Sequence, residues 1–147
     1  MVLGQLLRNF LEQYDLGIVS GEAGLLRLAP GLVRGPDVAF ISWERFPNRR
    51  LPAQPVPDVV PDLAVEVLSE NNTEAEMERK LEEYFAAGVR LVWYLDPETR
   101  TVHVYTSFTE VRHLTEEETL EGDPVLPGFR LPIREWFERA ERGRGRD

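Results

Sequence analysis

An α/β domain with a central mixed, twisted sheet flanked by helices is the fold the sequence predicts, on three observations. Leu63-Ala64-Val65-Glu66-Val67-Leu68 and the stretch from Val89 to Leu95 are nearly continuous apolar runs. Such runs suit strands covered on both faces. Between them lies a helical stretch over 74–87 that Gly88 closes, so 63–95 reads as a β–α–β unit with parallel strands and a right-handed crossover. Finally, Val102-His103-Val104-Tyr105 and Val111-Arg112-His113-Leu114 alternate with period two, which suits later antiparallel strands.

The remaining elements follow in chain order. Val2, Leu3, Leu6, Leu7, Phe10, Leu11 and Tyr14 recur at helical spacing, so 2–14 is predicted as an amphipathic helix ending before Gly17. Ile18-Val19 and Leu25 to Leu28 are short strands around a Gly21–Gly24 turn, and Ala29-Pro30-Gly31 breaks the chain again. Val38 to Ile41 is a strand entered from Pro36-Asp37. Residues 43–61 carry Pro47, Pro52, Pro55, Pro57 and Pro61 and read as a long irregular connection. Met77, Leu81, Tyr84 and Phe85 make the buried stripe of the 74–87 helix. A short closing helix over 132–139 offers Trp136 and Phe137 to the core.

The chain of 147 residues is one domain by length, taken as 1–140 with a flexible Arg/Gly tail at 141–147. It contains no cysteine, which excludes disulfides, thiolate metal sites and thiol catalysis. No apolar run reaches the roughly 20 residues that span a bilayer, and no basic n-region opens the chain, so a cytoplasmic protein is expected. A net charge of −9 argues against non-specific coating of nucleic acid. It does not argue against a nuclease, because metal-holding carboxylates add negative charge. Arg49-Arg50 and the Arg142–Arg146 tail are local basic patches, most simply read as solvated loop and chain end.

A carboxylate inside a buried strand is costly unless it is paired or holds metal, which singles out Glu66. The plainer structural alternative is a glutamate satisfied by an arginine or a helix terminus. Asp62 lies on the same face of the same strand, but four residues span roughly 13 Å at about 3.3 Å per residue. One ion cannot bridge that. Asp37 opens a different strand, and adjacent strands lie only about 4.8 Å apart. If those strands are neighbours, Asp37 and Glu66 can share one Mg²⁺ or Mn²⁺, hard ions that accept a few carboxylates, water and phosphate oxygens. An ordinary Pro-Asp strand entry explains Asp37 equally well.

Sixteen of the seventeen basic residues are arginines, and the one lysine is Lys80. On the 74–87 helix it falls one turn from both Met77 and Tyr84, where its chain can run along the helix toward the sheet. Against this, Glu76 stands four residues earlier, a spacing that suits an ordinary helix-surface pair. His103 and His113 lie on separate strands without ligand spacing and read as surface or core residues. Neither a serine-hydrolase motif nor a phosphate-cradling glycine loop is present.

Gly35-Pro36-Asp37-Val38-Ala39-Phe40, Pro61 to Ser69, Lys80 to Tyr84 with Ala86-Ala87-Gly88-Val89, Val92 to Pro97 and Leu126-Pro127-Gly128-Phe129 come in an ordered set. With them the chain, from about residue 3 to 137, resembles the Uma family of restriction endonucleases in the PD-(D/E)XK nuclease superfamily. The resemblance implies a restriction-endonuclease-like core and Mg²⁺-dependent hydrolysis of phosphodiesters. Asp37 matches the aspartate of the Pro-Asp motif, and Glu66 the acidic residue of (D/E)XK. The motif's lysine falls at Leu68 here, so Lys80 would have to supply the ammonium from the next helix. Glu22, in a stretch that often carries a glutamate in that family, is a lesser candidate metal ligand.

Two function classes stay open on the sequence. One is a metal-dependent endonuclease acting on DNA, with Asp37, Glu66 and Lys80 as catalytic residues. The other is a nuclease-fold module of little or no activity that serves as a dimeric interaction or regulatory protein; Trp43 and Phe108, expected to be exposed, suit a homodimer. Hydrolysis of a non-nucleic phosphoester is a third reading.

Overall fold

The computed structural model describes residues 2–21, 24–50 and 56–144, with the side chains of 143 and 144 excepted. Three helices, α1 (Val2–Gln13), α2 (Glu74–Ala87) and α3 (Ile133–Arg144), accompany a six-stranded sheet. Its strands are β1 (Gly17–Ser20), β4 (Val38–Ser42), β5 (Leu63–Val67), β6 (Leu91–Asp96), β7 (Thr101–Tyr105) and β8 (Val111–Leu114), side by side in that order. Only β5 and β6 run parallel, joined through α2; every other neighbouring pair is antiparallel. The predicted mixed sheet and its β–α–β unit are both present.

Side chains alternate across this sheet and build a core on each face. Val38, Phe40, Leu63, Val65, Leu91 and Trp93 face α1 and α3, meeting Leu3, Leu7, Trp136 and Phe137. Ala39, Ile41, Ala64, Val92 and Tyr94 face the other way, toward Met77, Leu81 and Tyr84 of α2. This double cover explains why β5 and β6 are apolar at nearly every position. Glu66 has the parity of Ala64, so it points into the layer beneath α2.

α2 is punctuated at both ends as its sequence demands. The Thr73 hydroxyl accepts the Glu76 N–H at 3.1 Å, Glu74 and Glu76 suit the positive end of the helix dipole, and Gly88 adopts the left-handed conformation at φ 112°. Thr73→Ala is expected to cost about 1 kcal/mol, read as a lower denaturant midpoint at unchanged m-value.

Three short strands lie beyond what the sequence pattern predicts. β3 (Leu32–Arg34) pairs with β2 (Leu26–Ala29) around Pro30 and Gly31, the latter at φ 78°, so the expected chain break is a hairpin turn. β9 (Thr119–Glu121) and β10 (Arg130–Pro132) form a second two-stranded ladder leading into α3. The closing helix is longer than the predicted 132–139 and reaches Arg144. His103 and His113, unrelated by sequence spacing, are register partners across β7 and β8. Trp43 is only half-buried rather than exposed: its indole N–H donates to Asp15 at 2.8 Å and its ring lies against Phe46. Phe108 is 39% exposed.

Candidate active site

The β4–β5 pairing sets the site. Val38 pairs with Val65, and the strands are antiparallel, so Asp37, one residue before Val38, falls opposite Glu66, one residue after Val65. Positions opposite one another in an antiparallel pair share a face of the sheet. The adjacency that the sequence reading required is therefore met, and the Asp37 charge lies near enough to add to the upward shift of the Glu66 pKa.

Each carboxylate is held by one oxygen. Asp37 Oδ2 accepts the backbone N–H of Val67 at 2.7 Å. Glu66 Oε2 accepts the Tyr84 hydroxyl at 2.6 Å and lies 3.6 Å from Lys80 Nζ. Asp37 Oδ1 and Glu66 Oε1 accept no hydrogen bond among the described residues. Two anchored carboxylates, each with an uncommitted oxygen, are the donor set a hard divalent cation takes when water and substrate complete its shell. Among the described residues no group of three or more His, Cys, Asp or Glu is placed to hold a metal ion, so with Asp37 and Glu66 alone a Mg²⁺ or Mn²⁺ ion would take water or substrate oxygens to complete its shell. Glu22, the lesser candidate ligand, lies outside the described residues.

Lys80 takes the direction that its position on α2 suggested. Its ion pair is with Glu66 across the layer and not with Glu76 on its own helix. Leu68, standing where the motif's lysine would fall, packs partly buried against the core on the α2 side and continues the β5–β6 ladder with its N–H on Leu95 O at 2.8 Å. An ammonium thus reaches Glu66 from the helix instead of the strand.

Tyr84 is the residue that sequence reasoning missed. The helical stripe predicts it as buried, and it is fully buried, but its hydroxyl is aimed at Glu66. The available signal was its spacing. Tyr84 is four residues from Lys80, so the two share a helix face and converge on one oxygen.

Burial is the largest influence on Glu66 and raises its pKa. The Tyr84 hydrogen bond and the Lys80 charge oppose it, the Asp37 charge adds to it, and the net direction is upward. The folded protein therefore holds this proton more tightly than the unfolded chain. Stability falls as pH rises from the ordinary glutamate value through the raised one. In chelator, Glu66→Gln should accordingly gain on the parent protein with rising pH across that window, with little difference below it, as thermal unfolding against pH would record.

Asp62, the other buried acid of this face, is committed elsewhere. Its Oδ2 accepts the Ser42 N–H at 2.6 Å and its Oδ1 the Arg45 Nε–H at 3.2 Å, with Arg90 Nη1 at 4.0 Å. It braces the β4–β5 connection and has no part in the Asp37–Glu66 pair.

Comparison with known proteins adds to this geometry. The Uma2 family, described as "Putative restriction endonuclease", matches residues 2–134. Among solved structures, the chain is similar to a protein from Anabaena variabilis ATCC 29413 described as a "putative nuclease belonging to DUF820". The TM-score is 0.79 at 17% identity, over 92% of this chain and 76% of that one. That likeness shows a shared fold. No curated protein matches the sequence.

Proposed function

Because the chain belongs to the Uma2 family, whose description is "Putative restriction endonuclease", we propose that it is a Mg²⁺- or Mn²⁺-dependent endonuclease hydrolysing DNA phosphodiester bonds. The observation that carries this reading is the pairing of Asp37 and Glu66 on adjacent strands, one oxygen of each tied to the protein and one left over, with Lys80 Nζ 3.6 Å from Glu66.

Asp37 and Glu66 would hold the cation, which when bound supplies positive charge against the scissile phosphate and acidifies water. Tyr84 fixes the Glu66 carboxylate, so it meets the cation and substrate already oriented. Lys80 offers an N–H donor and a full positive charge where charge accumulates on the phosphate oxygens. Its ammonium is only partly exposed, so that charge is weakly screened.

Lys80→Ala should leave Mn²⁺ affinity nearly intact and lower turnover of supercoiled DNA by about 10²-fold, the scale of removing one transition-state donor. Steady-state cleavage beside a Mn²⁺ titration separates the two effects. The competing reading, a dimeric interaction module, draws on the leucine at position 68. The ammonium supplied from α2 weighs against it. Cleavage in Mg²⁺ that stops in EDTA and in Glu66→Ala supports the nuclease; no cleavage of single-stranded or supercoiled DNA under any of these conditions favours the module.

A further inference from the structure

We propose that His103 and His113 form a second cation site, selective for a borderline transition ion such as Zn²⁺, Ni²⁺ or Cu²⁺ and separate from the Asp37–Glu66 pair. The two residues are cross-strand partners on β7 and β8, and their imidazole rings lie 4.6 Å apart, centroid to centroid, at 77°. Neither ring makes a hydrogen bond to protein among the described residues, so their lone pairs are uncommitted. Imidazole nitrogen is the donor that late first-row ions prefer over Mg²⁺, which keeps to oxygen.

The surroundings favour a cation. His103 lines an open groove of about 1220 Å³ beside α2, whose lining among the described residues includes Glu70, Glu74, Glu78, Asp96 and Glu98 and neither lysine nor arginine. Carboxylates of one sign along a cleft raise the local concentration of cations. Burial, with His113 beside it, pushes His103 below the usual histidine range against the pull of Asp96, which keeps the ring neutral and able to ligate at neutral pH. The site also stands apart from the first. Glu66, Tyr94, His103 and His113 occupy one row across β5 to β8, so His103 is two strands from Glu66, about 10 Å at about 4.8 Å per strand. Between them α2 is pinned to the sheet, the Tyr94 hydroxyl donating to Met77 O at 2.6 Å. Two ions so placed do not form a bridged pair. With two protein ligands, water completes the shell, and the ion would clip the edge strand β8 to β7.

The chain has only 2 histidines, so imidazole proton NMR reads the site directly. Titrating the full chain with diamagnetic Zn²⁺ should shift the signals of both histidines together, and Mg²⁺ should not reverse it. Zn²⁺ affinity by calorimetry should fall at least tenfold in His113→Asn, an exposed position where folding is undisturbed, and persist in Asp37→Asn. A Zn²⁺-induced shift of one histidine alone, or equal Zn²⁺ affinity in His113→Asn, overturns the proposal.

Discussion

Asp37→Asn and Glu66→Gln are each expected to lower Mg²⁺-dependent DNA cleavage by about 10²–10³-fold or more, the largest functional effects in the molecule. Both substitutions keep size and shape and remove only the charge. The amide oxygen introduced by Asp37→Asn can still accept the Val67 N–H, and that introduced by Glu66→Gln can still accept the Tyr84 hydroxyl. The strand ends and α2 therefore stay in place. What is lost is half the negative charge that would draw a dication to the sheet edge. Loss of activity with an unchanged fold, checked by circular dichroism and thermal unfolding, therefore reports on the ion. A variant that cleaves at the parental rate would remove its carboxylate from the mechanism.

Asp62→Ala should be the most destabilising change to a polar residue, at about 3 kcal/mol, while leaving divalent-ion binding untouched. Asp62 is 3% exposed, and its carboxylate satisfies both a strand N–H and the Arg45 guanidinium. Truncation leaves the Ser42 N–H and a partly buried Arg45 without their acceptor, and such losses cost about 3–5 kcal/mol for a well-buried pair, less where solvent reaches the cation. Urea unfolding gives the number. Two acids on one face of one strand, four residues apart, are thus assigned opposite roles. Lost ion binding at parental stability in Asp62→Ala would reverse the assignment.

That division of labour was partly legible in the sequence. Distance along a strand excluded Asp62 from sharing an ion with Glu66, and adjacency of β4 and β5 was the condition placed on Asp37; the register meets it. The sheet's centre was legible because β5, α2 and β6 are long, strongly patterned and closed by Thr73 and Gly88. β3, β9 and β10 were not, since three residues are too few for a period-two pattern to declare itself. Tyr84 and the histidine pair escaped for a different reason. Their partners lie eighteen residues away and across a strand register, which no local pattern encodes. Leu68 is a departure visible in the sequence, but only three-dimensional placement shows the ammonium of Lys80 arriving beside Glu66 from the helix.

The most direct measurement is a Mn²⁺ titration, followed by the loss of the free-ion paramagnetic signal, on the parent chain and the Asp37→Asn, Glu66→Gln and Lys80→Ala proteins. One ion that Mg²⁺ displaces should bind to the parent and to Lys80→Ala, and binding should be lost in both carboxylate variants. Parental Mn²⁺ affinity in either carboxylate variant would contradict a shared cation between β4 and β5, and with it the nuclease assignment of this site.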